Sequence, residues 1–200
     1  MNGFERRTSE KKQQVLQAAF ELMNTENGID NLTIDEVSKL STVGKTSIFK
    51  YFGSKENLIH EVFVNWMNEM AQSANEVMEK NASFEETMIA MSQTKINFLS
   101  KINKQFYFDL MHYFTEKEDS GFTRMMEEYT NQSFEIMLDL FHRGRKEGKV
   151  DLKYSDEFLL LFFQALIEGI SNPMIYKQIL PYTAEWTEIL IKGVAPKSNS

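Results

Sequence analysis

Residues 42–56 read TVGKTSIFKYFGSKE, and their polar members are the ones best suited to chemistry. If Val43, Ile48 and Phe52 turn inward on a short helix, Lys45, Thr46, Ser47, Lys50 and Tyr51 are left outward. That face holds two ammonium groups, two hydroxyls and a phenol, with no carboxylate. Ammonium groups donate to phosphate or to the acceptor edge of guanine, and hydroxyls pair with either partner type. Lys55 stands in the first turn of the next helix, where a cation opposes the macrodipole unless it and the free amides share an anion. Ordinary solvation would account for any one of these lysines. As a set they point to a nucleic-acid backbone.

Other chemistries find less support. Gly44-Lys45-Thr46 matches the end of a P-loop, but that motif needs a glycine where Lys39 stands and a preceding strand where the pattern is helical. His60, His112 and His142 are dispersed; Asp109 and His112 could present two ligands to a metal, with no third in view. The absence of cysteine removes thiolate nucleophiles, disulfides and Cys-based zinc. No metal, no cofactor and no enzyme activity are expected.

The elements that position the basic face are short. Thr33 and Glu36 have capping-box spacing, and Ile34, Val37 and Leu40 make one apolar face. Ser41 to Gly44 breaks the pattern, Ile48 and Phe52 resume it, and Gly53-Ser54 ends it, with Ser54 as the next N-cap. Two helices too short to stand alone, joined by a tight turn, read as a helix-turn-helix. Upstream, a frayed basic arm over 1–8 precedes a helix from about Ser9 to Asn24, with Val15, Ala18, Ala19, Leu22 and Met23 inward.

These residues resemble the TetR/AcrR transcriptional regulators. The likeness lies in Val15-Leu16, Ala18-Ala19-Phe20, Leu22-Met23, Gly28, Leu32-Thr33, Val37, Val43, Lys45, Ile48, Tyr51-Phe52, Ser54-Lys55-Glu56 and Leu58. Three positions depart from the family pattern: Thr42 replaces a frequent Gly, Gly44 a Ser or Thr that caps the recognition helix, and Phe49 a Tyr; Thr42 could supply the missing cap. The resemblance implies an all-α chain with an N-terminal three-helix DNA-binding domain over 1–53 and a ligand-binding and dimerisation domain over 54–200. The DNA-facing set is then Thr33, Lys45, Thr46, Ser47, Lys50, Tyr51 and Lys55.

Downstream, helical patterns run over about 54–80, 84–101, 104–115 and 122–147, the last ending in Arg143, Arg145 and Lys146, which read as a solvated helix end. A segment apolar on nearly every side follows from Ser155, and a last helix spans about 182–193. An all-round apolar helix needs cover on every side. By the family resemblance, the helices at about 155–178 and 182–193 pair with their copies in a homodimer, which implies a palindromic operator in double-stranded DNA. Aromatic and Met residues over 98–141 suit a packed core, and some of them suit an apolar ligand pocket. The candidates are Phe106, Met111, Phe114, Met125, Tyr129, Phe134 and Met137.

With 42% hydrophobic and 26% charged residues, the chain is globular. Residues 1–60 carry eight cations against eight anions, so the remainder holds the whole net charge of −7 and only the N-terminal part suits DNA. No apolar run is long enough to span a bilayer, so no membrane partner and a cytoplasmic location are expected. The expected function is a ligand-responsive repressor released from DNA by a small apolar or amphipathic molecule. Two alternatives stay open: an interaction protein whose helix-turn-helix no longer binds DNA, and a helical enzyme with a site in the aromatic region.

Overall fold

The computed structural model describes residues 3–116, 120–171, 175 and 178–197, without the side chains of residues 4, 114–116, 120–130, 167–168, 170–171 and 180. All regular structure among them is helical: α1 (Gly3–Met23), α2 (Ile34–Ser41), α3 (Lys45–Phe52), α4 (Lys55–Glu79), α5 (Phe84–Leu99), α6 (Lys104–Glu116), α7 (Ser120–Lys146), α8 (Asp156–Ser171) and α9 (Thr183–Val194). Helix α1 begins earlier than the sequence suggests. Arg6 pairs with Glu10 one turn on, at 3.5 Å, and the Arg7 side chain donates to the Gly3 carbonyl, so the expected frayed arm is helical from residue 3.

The chain forms two compact units, residues 1–71 with 100–116 and residues 72–99 with 117–200. The first unit is closed by a buried apolar set from five helices. Val15, Ala19 and Met23 come from α1, Val37 from α2, Ile48 from α3, Leu58 and Phe63 from α4, and Phe106 and Leu110 from α6. The Phe106 ring lies edge-on to Phe20, Phe63 and Trp66, with centroids 5.2, 5.3 and 6.0 Å away. The turn after α1 is tied to α6: Ile29 N–H donates to Asp109 Oδ2 at 2.8 Å, and the Asn24 amide donates to the Lys101 carbonyl at 2.9 Å. Asp109 also accepts from Gln105, so its carboxylate serves this turn.

In the second unit, Phe84 and Met88 of α5 pack with Leu140 and Phe141 of α7, Leu159 and Phe163 of α8 and Val194 of α9. A full capping box starts α5, with Ser83 N–H donating to Glu86 Oε2 at 3.1 Å and Glu86 N–H to Ser83 Oγ at 3.3 Å. The Glu147 carboxylate accepts from Phe84 N–H at 2.8 Å, another satisfied amide at that N-terminus. Gly144 lets this corner close, since a Cβ there would lie 2.6 Å from Val150 Cγ2 and 2.7 Å from the Phe84 ring. The basic end of α7 is not simply solvated. Arg143 donates to the Ala82 carbonyl, and Arg145 pairs with Asp156 and donates to the Tyr154 carbonyl; both side chains are only 18% exposed.

Candidate nucleic-acid interface

Helix α3 has eight residues and could not persist without tertiary packing. Ile48 and Phe52 supply that packing and fix which face turns outward. Lys45, Thr46, Phe49 and Lys50 are exposed, whereas Ser47 and Tyr51 are half-buried on the flank. Tyr51 lines a cleft of about 280 Å³ with Ser9, Lys12 and Leu16 of α1 and Glu61, Val64 and Asn65 of α4. The outward arc is therefore narrower than the sequence reading has it, and it includes Phe49. At ~100° per residue, Phe49 falls between Lys45 and Thr46. Its ring is 47% exposed, an apolar patch among two cations and a hydroxyl.

Helix α2 adds a carboxylate that the pattern of α3 alone cannot show. Asp35, in the first turn of α2, forms an ion pair with Lys45. Both partners are largely solvated, so the pair is weak, but it places one anion beside the basic face. Lys50 and Lys55 form no ion pair among the described residues. Thr33 caps α2: its hydroxyl accepts from Glu36 N–H at 3.2 Å and donates to the Glu36 carboxylate at 2.9 Å. Ser54 Oγ accepts from Asn57 N–H at 3.1 Å, which starts α4 and places Lys55 in its first turn.

The turn between α2 and α3 holds two of the unusual residues. Thr42 takes φ 57°, ψ 19°, a left-handed conformation that a β-branched side chain adopts only at a cost. Its hydroxyl does not cap α3, contrary to expectation; Gly44 is the N-cap and α3 has no side-chain cap. Ser41 holds the turn instead, donating to the Val37 carbonyl at 2.6 Å and accepting from Val43 N–H at 3.3 Å. The first amides of α3 are thereby left without a side-chain acceptor, on the face that carries Lys45.

Comparison with known proteins says what this geometry is similar to. Residues 15–62 match the family model for bacterial regulatory proteins of the tetR family. That match covers α2, α3 and the flanking parts of α1 and α4, so these residues are similar to the DNA-binding head of that family. An uncharacterised HTH-type transcriptional regulator of Bacillus subtilis (strain 168), YhgD, is 38% identical over 79 residues, which span 40% of this chain and 41% of that protein. A TetR-family regulator from Rhodococcus sp. has the same fold, with a TM-score of 0.69 at 16% identity over 94% of this chain and all of that one. FadR from Bacillus subtilis, solved in complex with stearoyl-CoA, superposes with a TM-score of 0.65 at 16% identity, over 91% of this chain and 98% of FadR.

The candidate ligand residues with described side chains fall in both units. Phe106 is fully buried in the aromatic core of the first unit, to which Met111 also belongs, half-buried. Phe134 and Met137 are half-buried in the second unit, where Met137 packs on the core. The side chains of Phe114, Met125 and Tyr129 lie outside those described. Among the described residues no group of His, Asp or Glu could hold a metal, and no helix is long and apolar enough to cross a membrane.

Proposed function

We propose that this chain is a cytoplasmic, ligand-responsive transcriptional regulator that binds a palindromic operator as a homodimer and acts as a repressor. The exposed arc of Lys45, Thr46, Phe49 and Lys50 on a helix-turn-helix carries the reading. Lys45, Lys50 and Lys55 would engage phosphate or guanine, Thr46 a base edge, and Phe49 the methyl group of thymine. Thr33, Ser47 and Tyr51 would approach the backbone from the flanks. Residues 1–53 would read DNA, and the remainder would pair subunits and hold the ligand.

Dimerisation is supported by α8. Phe158, Leu161 and Phe162 are 49%, 59% and 39% exposed, and Tyr154, Phe158 and Phe162 form a near-parallel ring stack, with centroids 5.4 and 6.2 Å apart. With Ile189 of α9, 67% exposed, this is the kind of apolar face that a second copy covers. The ligand reading is supported by the fold shared with FadR, whose complex holds stearoyl-CoA.

Fluorescence anisotropy against DNA from upstream of the chain's own gene, and against fragments selected from the genome, tests the reading across a salt series. Sequence-selective binding is expected, with log affinity falling linearly in log salt. Changing Lys45 and Lys50 together to Ala should weaken it and reduce the slope by about one for each phosphate no longer engaged. Folded protein that selects no fragment even at low salt would favour the interaction-protein alternative.

A further inference from the structure

Helix α2 sets a carboxylate beside the DNA-facing arc, and the helix itself makes no use of that group. Thr33 and Glu36 complete the cap of α2 between themselves: the Thr33 hydroxyl accepts from Glu36 N–H and donates to the Glu36 carboxylate. Asp35 stands between them in the first turn, where the macrodipole favours an acid but does not require it to reach another helix. It does reach one, since its carboxylate pairs with Lys45, the first residue of α3. Val37 and Ile48, both buried, anchor the two helices. The Asp35 and Lys45 side chains are 76% and 54% exposed, so their pairing adds little to stability. A carboxylate on a face that approaches phosphates is repelled by them. Its position makes sense if the DNA offers it a donor.

A carboxylate accepts hydrogen bonds and donates none, and an ammonium does the reverse. The major-groove edge of a G·C pair carries the matching set on its two sides: guanine N7 and O6 accept, and cytosine N4 donates. An A·T edge instead sets its donor between two acceptors and adds a methyl group. We propose that Asp35 is a base-reading residue that, with Lys45, selects a G·C pair in each operator half-site, the ammonium on guanine and the carboxylate on the N4 amino group of cytosine. The pairing in the free protein is weak enough for both groups to turn to the DNA. Asp35 also offsets the attraction of Lys45 to phosphate, which lowers affinity for every sequence that does not supply the donor. The inference rests on the DNA-binding reading and extends it from α3 to α2.

Selection of binding sites from random DNA, with full-length protein and its variants, tests this, followed by anisotropy across a salt series. The parent should select G·C at one position of each half-site. Asp35→Ala, its fold checked by circular dichroism, should accept any pair there and keep the rest of the site, the preference falling roughly tenfold. On unselected DNA the same variant should bind more tightly, with a salt slope steeper by about one as Lys45 turns to phosphate. Asp35→Asn should move the preference at that position to A·T, because an amide pairs bidentately with adenine. Lys45→Ala should relax the same position. If Asp35→Ala selects the parent's site with the parent's slope, Asp35 reads nothing, and the inference falls while the DNA-binding reading stands. Relaxation of different positions by Asp35→Ala and Lys45→Ala would overturn the shared base pair. A uniform loss of affinity in folded Asp35→Ala would overturn it too, leaving Asp35 a structural role. If the parent selects no sequence, the DNA-binding reading falls and takes the inference with it.

Discussion

Replacing Gly28 by Ala should destabilise the first unit by roughly 2–4 kcal/mol, a value assembled from three separable effects. Gly28 has φ +57°, a conformation that costs an L-residue about 1–2 kcal/mol. The added Cβ would lie 1.8 Å from Asp109 Oδ2 and 2.8 Å from Gln105 Cγ, so the carboxylate must leave. Its departure breaks the bond from Ile29 N–H, and a hydrogen bond to a charged group contributes about 1.5–3 kcal/mol. The stiffer unfolded chain returns about 0.4–1 kcal/mol. Urea denaturation in a Trp186→Phe background reads the first unit through Trp66, which packs edge-on against Phe106. Asp109→Ala alone should cost about 1.5–3 kcal/mol, but nearly nothing when Ala already occupies position 28, because the bond it removes is gone. Additive losses in the double variant would refute displacement of the carboxylate.

Three further outcomes are expected. Thr42→Gly should stabilise the head by up to about 1 kcal/mol, since relief of left-handed strain outweighs the flexibility of glycine; thermal denaturation checks it. Gly144→Ala should lower stability by roughly 1–2 kcal/mol, the Cβ displacing Val150 and the Phe84 ring by more than helix propensity returns, as urea denaturation would show. Hydrogen bonds from His142, then Arg145, hold the Asp156 carboxyl below its ordinary range. Its folded pKa is depressed, so its contribution is present above about pH 4 and disappears as pH falls through the lower folded value. Acid titrations of Asp156→Asn by circular dichroism should lack that part of the transition.

What could be read from sequence was local. Capping residues, glycine stops and apolar periodicity place α2, α3 and α4 within a residue or two, because each depends on neighbours three or four positions away. Pairings between distant parts of the chain leave no such trace. Asp109 looks like half of a metal pair with His112 in sequence, yet its carboxylate is spent on Ile29, eighty residues earlier. Arg143 and Arg145 look like a solvated helix end until Ala82, Tyr154 and Asp156 come beside them. Lys45 looks free until α2 brings Asp35 to it. Phe49 is legible in the sequence: a helical wheel alone places it outward, between Lys45 and Thr46.

The three departures from the family pattern share one physical property. Thr42, Gly44 and Phe49 are all exposed, while the positions that hold the helices together, Val37, Val43, Ile48 and Phe52, are apolar and buried. The departures therefore leave the scaffold intact and change what it presents. Thr42 costs strain at the turn, Gly44 leaves α3 amides uncapped, and Phe49 exposes a ring that water solvates poorly. None of these improves the free protein. Uncapped amides and an unpaired ring have a use only against a surface offering anions and apolar groups side by side, as the major groove does with its phosphates and thymine methyls. On this reasoning, Phe49→Tyr should leave stability nearly unchanged while altering the preference at one operator position, and a selection of binding sites from random DNA would show which base it reads.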